Sequence, residues 1–177
     1  MAITTLEGPV RSLNGFYTQG PNTVVNLANG TNTITLDVAT YAGRIIRTND
    51  ATLVITLPAV NVTASPVSAG PGTDPNTQNN QGAQFVIFVE TSATAVTIRT
   101  NGSTSDVFVG SLTVVGAAGA SATFAPGATN DFINMDGSTK GGLAGSYIVI
   151  TSLTTNKWLV QGVLLGSGSA ATPFADS

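Results

Sequence analysis

The sequence predicts an all-β domain, a β-sandwich or jelly-roll-like fold of about eight to ten short strands, behind an extended N-terminal arm. Three observations predict it. Apolar and polar residues alternate over short runs, which is the period of a half-buried strand. Turn-forming dipeptides recur between the runs, and no window keeps a helical period over ten residues. Only 8% of the 177 residues are charged, against about 25% in a typical soluble domain. The surface is therefore kept wet by Thr, Asn, Ser, Gln and Gly, which favour strand edges and turns over helices.

Taken in order, residues 1–23 form the arm and residues 24–177 the sandwich. The arm is broken by Gly8-Pro9, Asn14-Gly15 and Gly20-Pro21, yet it carries Ile3, Leu6, Val10, Leu13, Phe16 and Tyr17. A polar tail has no use for such side chains. They either pack on their own domain or anchor the arm to a neighbour, and Ile3, Leu6, Val10, Phe16 and Tyr17 are the candidate partner-binding residues. Asn29-Gly30, between Val24–Leu27 and a strand at Thr33, reads as a hairpin turn. Ile34, Leu36 and Val38 share one face, as do Leu53, Ile55 and Leu57 before Pro58 stops the run. Ala39 to Gly43 has room for one helical turn at most.

The stretch from Ala59 to Gly82 holds Pro66, Pro71 and Pro75 and almost no large apolar side chain. It reads as a long surface loop. Phe85 to Val89 and Tyr147 to Ile150 are apolar at every position, so both are expected as central strands. Further strands are expected at 43–48, 95–100, 107–109, 111–115, 121–125, 131–135 and 157–165. Asn101-Gly102, Asp136-Gly137 and Thr155-Asn156 punctuate them. Trp158, the single tryptophan, alternates with Val160 and reads as a core anchor.

The chemistry available to this chain is narrow. It has no histidine and no cysteine, which removes the imidazole base of a hydrolytic triad, thiolate chemistry and disulfides. The acids sit mostly at turns, as Asp74, Asp106, Asp136 and Asp176 do, where they cap the backbone. Asp74-x-Asn76-x-Gln78 lacks the glycine and the final glutamate of a calcium loop. Asp131, Asn134 and Asp136 read as a polar strand end before they read as an ion site. No enzyme activity, cofactor or metal is expected. Six basic residues are scattered without a cluster, so nucleic-acid binding is not expected. Nor is a secretory signal or a membrane span.

Four stretches resemble a β-domain of bacteriophage virion proteins, the head decoration (cement) proteins above all and parts of tail fibres. They are TITLDVATYAGRIIRTNDATLVITLPA from Thr33 to Ala59, GAQFVIFVET, AVTIRTNGSTSDVFVGS, and the closing NKWLVQGVLLGSGSAATPFA. The resemblance covers roughly residues 33 to 174 and carries no catalytic residue. It implies a structural protein on the exterior of a capsid, a homo-trimer that bridges neighbouring copies of the major capsid protein. A tail- or head-fibre module that binds host glycans is the alternative, and a secreted adhesin or surface-layer subunit a more distant one.

Overall fold

The computed structural model describes residues 24–27, 33–62, 80–102 and 105–176. The arm, with Ile3, Leu6, Val10, Phe16 and Tyr17, lies outside the described residues, as do Asn29-Gly30 and Asp74. Among the described residues there are twelve strands: β1 (Val24–Leu27), β2 (Thr33–Thr35), β3 (Ile45–Thr48), β4 (Val54–Thr56), β5 (Gln84–Val89) and β6 (Val96–Arg99), then β7 (Val107–Val115), β8 (Ser121–Phe124), β9 (Phe132–Met135), β10 (Tyr147–Thr154), β11 (Lys157–Leu165) and β12 (Phe174–Ala175). A single helical turn, Val38–Tyr41, is capped by Asp37, whose carboxylate accepts the Thr40 amide at 2.7 Å.

The strands make two sheets, β1-β3-β5-β10-β11-β7-β8 and β12-β9-β6-β4-β2. The chain is thus an all-β sandwich, as its alternating pattern requires. The first six strands cross from one sheet to the other at every step, and each of the first four lies parallel to the strand two places on. They form three turns of a flattened solenoid. The parallel pairs separate this sandwich from a jelly roll, which is built of antiparallel Greek keys. Most of the later strands add in antiparallel fashion, but β7 runs parallel to β11.

This topology corrects the expected hairpin. Val24–Leu27 pairs with β3 and Thr33–Thr35 with β4, in different sheets. An Asn-Gly pair signals a local turn but not which edge the next strand meets. Here crossing between sheets lets Leu27 and Leu36, both nearly fully buried, enter one core from opposite walls.

That core is a single cluster running from Leu27 to Phe174. The long sheet contributes Ile46, Phe85, Ile87, Ile148, Ile150, Trp158 and Val160, the short sheet Ile55, Ile98, Ile133 and Met135. Trp158 is fully buried against Phe85, with ring centroids 5.9 Å apart and the planes at 50°. Gly110 joins the two expected strands at 107–109 and 111–115 into one. It sits at φ +106, and a Cβ there would lie 2.3 Å from the Val160 carbonyl oxygen, so only glycine lets β7 stay in register with β11.

Candidate functional site

The central positions of β5 and β10 agree with their apolar sequences, but their outer sides are not covered. Cross-strand register shows what this leaves exposed. One row across the long sheet runs Asn26, Arg47, Phe88, Tyr147, Val163, Thr113 and Thr123. The next runs Val24, Ile45, Val86, Val149, Gln161 and Ser111. Alternation sends both rows to the side away from the core.

Val24 is 38% exposed, Ile45 43%, Phe88 36% and Tyr147 44%. Among the described residues only Leu153 joins them as an exposed large hydrophobic side chain. Four of five such residues therefore sit on four adjacent strands of one face. A contiguous patch means more than the same residues scattered singly. Strands spaced about 4.8 Å apart make the seven-stranded face roughly 30 Å wide.

The patch is also close to neutral. Arg47 is the one cation in its rows, and Glu90 accepts from its guanidinium through both carboxylate oxygens, with the closest contact at 2.6 Å. Beyond Val163 the row ends in hydroxyls, with Thr113 and Thr123 joined at 2.9 Å. The geometry is an apolar centre with a hydrogen-bonding rim, the anatomy of a protein-binding surface. No group on it is placed for proton transfer or nucleophilic attack.

A cleft of about 530 Å³ lies at one end of the sandwich, lined by Ser105, Asp106, Thr129, Asp131, Asn156 and Lys157, among others. Asp106 is almost fully buried. Its Oδ2 accepts the Val60 amide at 2.8 Å, and its Oδ1 has no hydrogen-bond partner among the described residues. The cleft mixes apolar side chains such as Val107 and Ala128 with polar ones, and among the described residues none that lines it is aromatic, so these offer no platform on which a sugar ring could stack.

Of the described acids expected to cap turns, Asp136 does so, while Asp106 and Asp176 accept from groups distant along the chain. Asp136 accepts the Ser138 and Lys140 amides and the Thr139 hydroxyl at 2.8–3.0 Å. Burial pushes its carboxyl up, but those hydrogen bonds and the Lys140 charge outweigh it, and its pKa is lowered. Asp176 instead ties the C-terminal strand to Thr129 and Asn130. Asn134 accepts from Thr97 at 2.9 Å, and Asp131 and Asp136 flank opposite ends of β9, roughly 16 Å apart at the rise of a strand, too far to share one ion with Asn134. Among the described residues no cluster of three or more metal-ligating side chains is found.

The expected arm residues lie outside this description, and the patch was not anticipated. Its signal was present in the sequence: Phe88 and Tyr147 are the outward members of runs that are apolar at every position. No family model matches the chain, and no curated protein or solved structure is similar to it.

Proposed function

We propose that this chain is a virion structural protein that decorates the exterior of a phage capsid, bridging neighbouring copies of the major capsid protein as a homo-trimer. The observation that carries the proposal is the neutral apolar face centred on Ile45, Phe88 and Tyr147. A decorating protein must hold a flat neighbouring surface for the life of the particle. Apolar burial supplies roughly 25 cal/mol per Å², and with few charges the bond depends little on salt. The seven-stranded sheet that carries it, roughly 30 Å wide, has room for a standard interface, which buries about 800 Å² per partner. Three copies bound together gain further from effective concentration. The apolar arm residues Ile3, Leu6, Val10, Phe16 and Tyr17 are proposed to add anchorage.

The test is co-sedimentation of the purified protein with undecorated capsids. Saturable binding is expected, changed by no more than about two-fold over a ten-fold rise in salt. Phe88→Glu with Tyr147→Glu is expected to abolish it, and so is removal of residues 1–20. Undiminished binding by the double variant would remove this face from the account.

The fibre reading draws on the cleft beside Asp106 and Lys157. With no aromatic among its described lining residues it is the weaker of the two, and a clear hit in a glycan-binding screen would reverse the order.

A further inference from the structure

Among the described residues nothing pairs with the outer edge of the first solenoid turn. β1 is the outermost described strand of the long sheet and β2 the outermost described strand of the short one, so both described sheets end on the first solenoid turn. Neither strand carries the features that normally protect an exposed edge. Val24–Leu27 and Thr33–Thr35 contain no charge and no proline, and an unprotected edge of this kind invites pairing with another strand. Solenoid ends are ordinarily closed by an atypical terminal repeat.

The register supplies a candidate for that repeat. A step of 21 residues separates Val24 from Ile45 on the long sheet and Thr33 from Val54 on the short sheet. Aligned at this step, Thr33-Ile34-Thr35-Leu36 falls on Val54-Ile55-Thr56-Leu57, three of four residues being identical in type from Ile34 onward. One further step towards the N-terminus sets Ile3 opposite Val24, Leu6 opposite Leu27 and Leu13 opposite Ile34. The match weakens at Thr4 and Gly15, which fall on Val25 and Leu36, as expected of a turn with only one neighbour to pack on.

We propose that the open β1/β2 edge is the docking site for residues 3–14 of the same chain, with Ile3–Leu6 added to β1 and Ser12–Asn14 to β2. Nine residues, 15–23, would connect this segment to β1, the same number that connects β2 to β3. A tether this short gives the segment a millimolar effective concentration at the edge, well above that of a free second copy in dilute solution. The proposal also divides the arm. Ile3 and Leu6 fall on the paired positions, while Val10, Phe16 and Tyr17 fall on the connecting ones and stay available to a partner.

The chain has no cysteine, so a disulfide reports the register cleanly. Thr5 is set opposite Asn26, an exposed position. Full-length protein carrying Thr5→Cys and Asn26→Cys is expected, on mild oxidation, to form an intrachain disulfide in most molecules, seen as the loss of two hydrogens in the intact mass. Thr4→Cys with Asn26→Cys is the control, since a one-residue slip turns the side chain to the other face. It is expected to cross-link at least several-fold less. Equal cross-linking of the two pairs, absence of cross-linking, or disulfides joining two chains would each overturn the proposal. No capsid enters the experiment, so its outcome is independent of the decoration reading.

Discussion

Replacing Asn80 by alanine is expected to be among the most damaging single changes away from the apolar core. Asn80 is 3% exposed and closes the neck of the long loop. Its Oδ1 accepts the Asn61 amide at 2.8 Å and the Ser152 hydroxyl at 3.2 Å, and its Nδ2 donates to the Ala59 carbonyl at 2.8 Å. Its backbone amide also donates to the Asn61 carbonyl at 2.7 Å, a bond the substitution keeps. Three side-chain bonds are therefore lost, and their partners stay behind in a site with little solvent. At about 1 kcal/mol for each bond, with part of the desolvation cost added where water does not enter, the loss comes to roughly 2–4 kcal/mol. Urea denaturation followed by tryptophan fluorescence measures it. With a slope of about 2 kcal/mol per molar, the midpoint is expected to fall by about 1–2 M. A fall of less than about 0.3 M would mean that water replaces the amide, and the reasoning about a sealed neck would be wrong.

Gly142 sits at φ +100, where a Cβ would lie 2.7 Å from the Met135 Cβ and 2.9 Å from the Ala93 Cβ. Gly142→Ala is therefore expected to cost at least about 2 kcal/mol in the same assay. Trp158→Ala is expected to cost about 3–5 kcal/mol. Trp158→Phe should cost far less, because the buried indole N–H has no acceptor among the described residues and phenylalanine removes that unsatisfied donor; thermal melting separates the two. The Asp136 pKa is lowered in the folded protein, so its contribution is complete above the ordinary carboxylate pKa of about 3.9. It is lost as pH falls through the lower folded value. Melting temperature measured between pH 6 and pH 2 is expected to drop less steeply in Asp136→Asn than in the parent, and equal slopes would count against this assignment.

Much of the fold was legible because burial on one face imposes a period of two. Ile55 with Leu57, Ile133 with Met135 and Trp158 with Val160 announce their strands directly. Partner choice was not legible. Asn29-Gly30 reports a turn, while the decision between a hairpin and a crossing rests with the core that Leu27 and Leu36 must share. The 21-residue step was present in the repeated Ile-Thr-Leu at 34–36 and 55–57, but two turns of a repeat are hard to distinguish from ordinary strand composition. β12 escaped because two residues, Phe174 and Ala175, are too few to show alternation. The apolar patch was hidden for a different reason. A run such as Phe85 to Val89 looks the same whether both of its faces are buried or one is held ready for a partner.

The central claim is that the face around Ile45, Phe88 and Tyr147 holds this protein on a capsid. Electron microscopy of capsids incubated with the wild-type chain, and separately with the Phe88→Glu and Tyr147→Glu double variant, tests it most directly. The account predicts regular density over the whole shell with this face turned towards the capsid surface, and bare shells with the variant. Density at a single vertex, or an outer sheet face turned to solvent in the decorated particle, would contradict it.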